Sequence, residues 1–200
     1  GNTYFRAVQN PIDFEPISGA TIEALHTLPT YYKHQVGNHI FGIKFKLGGL
    51  ACFTALSFKN FNNENVAIDK FLGGDVNNWL SQLKNLQTFE DRISQFEEYF
   101  LPLFLSDRDK KWKRLQGFVD ILESQTEINA ANYKTITRSF IELTGITPKE
   151  YLQIKRINQS LAYFAQNKSS KNQELAELLG FYDTAHFNHT FKKFTGKTPQ

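Results

Sequence analysis

The chain writes one helix twice. Phe140-Ile-Glu-Leu-Thr-Gly-Ile-Thr-Pro148 returns as Phe191-Lys-Lys-Phe-Thr-Gly-Lys-Thr-Pro199, an offset of 51 residues. The register holds upstream, where Asn132 aligns with Asp183, both residue types whose side-chain oxygen caps a helix N-terminus. Ile136 aligns with Phe187, Phe140 with Phe191 and Leu143 with Phe194. The spacing i, i+4, i+7 places each trio on a single helical stripe. Thr-Gly then follows in both copies, and glycine supplies the left-handed residue that ends a helix. A shared cap, stripe and stop in one register means that the sequence builds a capped, one-sided helix twice.

Between the copies, Thr147-Pro148-Lys149-Glu150 reads as N-cap, proline at the first helical position and the glutamate of a capping box. Tyr151, Ile154, Ile157, Leu161 and Phe164 give the helix that follows an apolar face, and Asn167-Lys-Ser-Ser-Lys-Asn172 breaks it. Glu174 to Leu179 is expected to form a short helix, with Leu175, Ala176, Leu178 and Leu179 as its apolar positions. Gly180 makes a turn and Asp183 caps the second repeated helix. Short helix, glycine turn and capped second helix together are the helix-turn-helix arrangement. The same shift of 51 carries Leu175–Phe181 back to Ser124–Ala130, a poor apolar helix. Either the first copy is degenerate there, or part of it is missing from the sequence.

The run Leu175-Ala176-x-x-Leu179-Gly180-Phe181-Tyr182-Asp183-x-Ala185-His186-Phe187-x-x-x-Phe191-Lys192-x-Phe194-Thr195-Gly196-x-Thr198-Pro199 resembles the signature of AraC-type DNA-binding domains. The Phe140–Pro148 copy and Lys155-Arg156-Ile157 match as well. The resemblance covers residues from about 110 to 200. It implies an all-helical module with homeodomain-like units at the two ends of a linking helix, and a final helix beyond Gln200. The fold class expected is therefore an α+β N-terminal region followed by an all-α tandem helix-turn-helix domain. Residues 1–106 would be an effector or dimerisation domain whose start looks truncated, and 107–200 the DNA-binding domain.

The resemblance puts base-reading positions on Lys134, Thr137 and Arg138, and on Ala185, Asn188 and His189. A helical wheel reaches nearly the same set. With Phe187, Phe191 and Phe194 facing a core, Ala185, His189 and Lys192 point away and Asn188 flanks them. In the first copy the same register exposes Lys134, Arg138 and Ile141, flanked by Thr137. Arg138 suits a bidentate contact to guanine and Asn188 a base edge, commonly that of adenine. Lys155, Arg156, Lys192 and Lys193 suit phosphates, being flexible or off the reading face.

Charge supports this without deciding it. Residues 1–106 hold 8 Lys+Arg against 10 Asp+Glu, a balance of −2, whereas 107–200 hold 15 against 10, a balance of +5. A basic second half suits a phosphate backbone as partner. In the first half, Ile43, Phe45 and Leu47 alternate with lysines, predicting a half-buried strand ending at Gly48-Gly49. Asp75–Asn85 predicts a helix through Val76, Trp79/Leu80 and Leu83. Thr88–Leu105 predicts another, capped by Thr88, with Phe89, Ile93, Phe96, Phe100 and Leu103 inward. Residues 1–40 read as short strands and loops. Phe41–Gly49 followed by a helix resembles the sensor-like N-terminal domain of one AraC-type subgroup, with Leu47 where proline is usual.

Duplex DNA is the expected partner, with RNA polymerase, a small-molecule effector on residues 1–106 and a second copy of the chain as further candidates. No catalytic residue, cofactor or metal site is expected. His186 and His189 form an i, i+3 pair without the glutamate and i, i+4 spacing of a zinc-peptidase helix. Cys52 lies among apolar neighbours with no adjacent His or Arg to activate it. The Gly48-Gly49 and Gly73-Gly74 pairs read as turns, since no Lys-Ser/Thr follows to make a phosphate loop. No apolar run reaches the roughly 18 residues of a membrane span, and one unpaired cysteine fits a cytoplasmic protein. Two other readings stand beside this one. One is an interaction module with degenerate DNA binding, supported by the weak 124–130 segment. The other is an enzyme carrying a helix-turn-helix appendage, such as a cysteine-based alkyl transferase.

Overall fold

Helices begin where side-chain oxygens are placed to cap them. In the computed structural model, which describes residues 3–72, 75–124, 130–167 and 172–199, Thr88 accepts from the amide of Asp91, Thr147 from that of Glu150 and Asp183 from that of His186. In chain order the strands are β1 (Thr3–Val8), β2 (Glu15–Ser18), β3 (Thr21–Glu23), β4 (Thr30–Lys33) and β5 (Asn65–Ala67). The helices are α1 (Ile68–Leu72), α2 (Val76–Asn85), α3 (Phe89–Phe100), α4 (Ser106–Glu123), α5 (Ala130–Thr144), α6 (Pro148–Gln166), α7 (Asn172–Leu178) and α8 (Thr184–Thr195). Short 3-10 turns occupy Gly49–Phe53, Phe58–Asn60 and Leu101–Leu103. Strands are thus confined to the first part of the described chain and helices fill the rest, as expected of an α+β region followed by an all-α one. Gly73-Gly74, most of the Ser124–Ala130 segment, the break at 168–171 and the side chain of Asn132 lie outside the described residues.

The chain divides into two bodies. One comprises residues 1–18, 26–38 and 146–200, the other 19–25 and 39–145. The first body holds an antiparallel sheet in the order β2-β1-β4, with Arg6 opposite both Glu15 and Tyr32. It also holds α6, α7 and α8, whose core joins Ile157, Leu175, Ala176, Phe181, Phe187 and Phe191. The second body pairs β3 with β5 and builds an aromatic core from Trp79, Phe96, Phe100, Phe45 and Phe53. Phe96 and Phe100 stack with centroids 4.1 Å apart. The second body also contains α4 and α5.

Several sequence expectations need correction. Residues 43–47 form no strand, although Phe45 and Leu47 are half-buried and Lys44 and Lys46 exposed. The carbonyl that a ladder would use, that of Leu47, instead accepts from Trp112 Nε1 (2.9 Å) and Gln116 Nε2 (3.0 Å) on α4. α3 is shorter than expected and packs through its C-terminal half. Phe89 and Ile93 are exposed, and Phe89 meets only the edge of Phe41 among described ring contacts. On α6 the buried line runs through Ile157 and Ser160, leaving Leu161 exposed. Ser160 is tolerated there because its hydroxyl donates to the Ile157 carbonyl at 2.7 Å. On α7, Leu175 and Ala176 are buried but Leu178 is 71% exposed, so the inward arc is narrower than composition suggests. Asn132 does not cap α5. It lies inside the helix, two residues beyond the first described residue of α5. Ile141, expected to be exposed, is half-buried.

Candidate nucleic-acid interface

The second copy is a seated helix. The Asp183 carboxylate accepts from the His186 amide at 2.6 Å and fixes where α8 begins. Gly196, at φ 75°, ends it. Phe187 and Phe191 are buried against Leu175 and Ala176 of α7 and against Ile157 of α6. With those rings inward, Ala185, His189, Lys192 and Lys193 are exposed and Asn188 is half-buried. α8 carries no carboxylate, so its outward face is uncharged or cationic. His186 is also exposed, with its ring edge-on to Phe181 at 5.5 Å.

The first copy repeats the orientation in the other body. Phe140 and Leu143 of α5 are buried, while Lys134 and Arg138 are exposed and Thr137 is half-buried. Glu142, the one carboxylate on α5, is engaged by Arg108 Nη1 and Lys111 Nζ of α4, each at 3.1 Å. Its charge is thereby offset, which leaves Lys134 and Arg138 to set the sign of the outward face. Thr137 Oγ1 and Asn188 Oδ1 share an unusual state. Both are buried polar atoms without a hydrogen-bond partner among described residues, and they sit 51 residues apart at the same register position.

The expected phosphate residues differ among themselves. Lys192 is exposed, and Lys193 holds its Nζ 5.2 Å from the centroid of the Phe194 ring. Lys155 and Arg156 on α6 are half-buried, and the Arg156 guanidinium lies over the Phe181 ring at 5.6 Å. α8 therefore gathers Ala185, Asn188, His189, Lys192 and Lys193 on one element, and α5 gathers Lys134, Thr137 and Arg138. Sequence reasoning missed α4 and with it Arg108, Lys111, Trp112 and Gln116. The signal was present in Trp112, Leu115 and Phe118/Val119 at near-helical spacing. Cys52 is buried, and burial first and the Asp109 carboxylate second push its thiol up, opposite to what a nucleophile needs. No helix among the described residues is long and apolar enough to cross a membrane.

A short helix with Leu175 and Ala176 buried, a glycine turn and a capped second helix with a carboxylate-free face form the helix-turn-helix arrangement. Residues 127–200 match the family described as a helix-turn-helix domain. A stretch of 64 residues is 38% identical to YidL of Escherichia coli (strain K12), described as an uncharacterized HTH-type transcriptional regulator. That stretch is 32% of this chain and spans 21% of that relative's length. No solved structure matches the chain.

Proposed function

We propose that the chain is a sequence-specific DNA-binding transcription regulator that inserts α5 and α8 into successive major grooves of the duplex. The observation that carries this reading is α8, a capped helix held by a buried aromatic stripe with an outward face that has no carboxylate. Lys134, Thr137, Arg138, Ala185, Asn188 and His189 read bases, while Lys155, Arg156, Lys192 and Lys193 hold phosphates. α6, at 19 residues, is about 28 Å long at 1.5 Å per residue, comparable with the roughly 34 Å between successive major grooves. Residues 107–200 supply the DNA contacts and residues 1–106 an effector or dimerisation function, in a cytoplasmic protein that works with RNA polymerase, as a homodimer and under a small-molecule effector.

A gel-shift titration of the whole chain at about 50 and 200 mM salt tests this. Releasing counterions from about four phosphates predicts a loss of affinity of about a hundredfold over that range. Binding that ignores salt, or no binding at the lower concentration, would sink the proposal.

A further inference from the structure

The two copies bury their helices by different means. In the second copy α7 supplies Leu175 and Ala176 as a seat for Phe187 and Phe191. In the first copy the corresponding segment is Ser124-Gln-Thr-Glu-Ile-Asn-Ala130, which offers no such apolar pair. Yet Phe140 and Leu143 are as deeply buried as Phe187, at 0% and 1% exposure against 0%. α4 accounts for part of this, with Phe118 edge-on to Phe140 at 6.4 Å. Residues 47–62, a segment before α1 that carries two 3-10 turns, also lie against α5. A Cβ on Gly145, the residue that follows α5, would stand 2.7 Å from the Phe58 carbonyl oxygen and 3.7 Å from the Asn62 amide nitrogen. A Cβ on Gly48 would stand 2.6 Å from Leu115 of α4 and 3.5 Å from the Cβ of Leu143 of α5. At both places the backbone of 47–62 lies flush against the helix pair, closer than any side chain would allow.

Polar contacts fasten the same segment to α4. Leu47 accepts from both Trp112 and Gln116, Ala55 accepts from the Arg108 guanidinium, and the Cys52 carbonyl accepts from the Leu105 amide at 2.8 Å. Arg108 also holds Glu142 of α5, so one side chain ties the segment, α4 and α5 together. We infer that residues 47–62 are a splint that does for α5 what α7 does for α8, so that the N-terminal region orients the first reading helix. Unpaired carbonyls in an irregular segment are costly to bury, and the Leu47 carbonyl is satisfied only while α4 stays in place. A shift of this segment, from whatever cause in residues 1–106, therefore reaches Lys134 and Arg138 directly. The consequence for base selection rests on the proposal that α5 reads DNA.

The test uses the whole chain with Gly145→Ala, which presses a methyl on the splint, and the milder pair Trp112→Phe/Gln116→Leu, which removes both donors to Leu47. Binding-site selection reads base preference at every position, and hydrogen exchange reads the protection of α5 and α8 amides. The expected result is at least a fivefold loss of preference at the base pairs read by α5, unchanged preference at those read by α8, and faster exchange in α5 alone. Equal loss at both half-sites, or α5 amides that exchange as in the parent while Leu47–Asn62 amides open, overturns the splint. If the parent chain selects no DNA, the regulator proposal fails by itself, and the exchange result still decides the splint. If Gly145→Ala does not fold, the milder pair carries the decision.

Discussion

Arg138 and Lys193 carry the same charge on two copies of one helix, and the proposed function gives them different roles. Arg138 is exposed on α5 opposite buried Phe140 and Leu143, the face proposed to read bases. Lys193 is drawn to the side of α8, its ammonium over the Phe194 ring. Arg138→Ala is expected to cost about 1–3 kcal/mol and to relax preference at one base position. Lys193→Ala should weaken all sequences alike and lower the salt slope by about one. Binding-site selection on both variants, repeated at two salt concentrations, separates them. Equal shifts on every sequence would make Arg138 a phosphate contact. Of the six proposed readers, four were legible from the wheel because a stripe of large apolar residues fixes what lies opposite, and the other two flank that face. The flanking pair Thr137 and Asn188 shows what a wheel cannot give. Each turns an oxygen inward without a partner among the described residues, a state that costs about 1–3 kcal/mol. Rotation of either side chain outward to a base edge relieves that cost. Asn188→Ala is therefore expected to leave the free protein at least as stable in a thermal melt while weakening DNA binding, whereas a clear loss of stability would mean the amide has a partner in solution.

Elements were legible where a local signal was self-sufficient. A capping box needs only Thr147 and Glu150, and both halves of it form, with the Thr147 amide donating to Glu150 Oε2 at 2.8 Å and the Glu150 amide to Thr147 Oγ1 at 3.2 Å. The alternation at 43–47 was misread because a strand requires a partner elsewhere in the chain, and none among the described residues pairs there. Here α4 took the carbonyl that a partner strand would have used. α4 itself was overlooked because its apolar positions are sparse among charges. Gly196 joins both kinds of signal. Its left-handed φ was readable from Thr-Gly, but the second reason for glycine was not, since a Cβ there would overlap the Tyr31 hydroxyl of β4, within the same body. Gly196→Ala is expected to destabilise by about 1–3 kcal/mol from backbone strain and overlap together. Tyr31→Phe in the same chain should recover part of that loss, which a double-mutant cycle by chemical denaturation measures. Simple additivity would mean that the hydroxyl moves away without cost.

At the scale of the whole chain, the repeat and the division into bodies follow different rules. The repeat is a fact of sequence, so α5 and α8 could be paired by register alone. Which body each joins depends on long-range packing, and the boundary falls between Gly145 and Ile146, inside the segment that the sequence reads as a single DNA-binding domain. No local pattern marks that point, because Thr144-Gly145 ends a helix in the same way as Thr195-Gly196. If α5 and α8, carried by two bodies, both read DNA as proposed, they bind cooperatively only if both engage one face of the duplex. Footprinting of the whole chain on a selected site is expected to show two protected patches with centres about one helical turn, roughly 10 base pairs, apart. Inserting about five base pairs between the patches turns the second half-site to the opposite face. Affinity should then fall toward that of one helix alone, while an insertion of about ten restores the face and, if α6 and its flanks can stretch, part of the affinity. A single short patch, unchanged by either insertion, would leave α8 as the reader and reduce α5 to a structural copy of it.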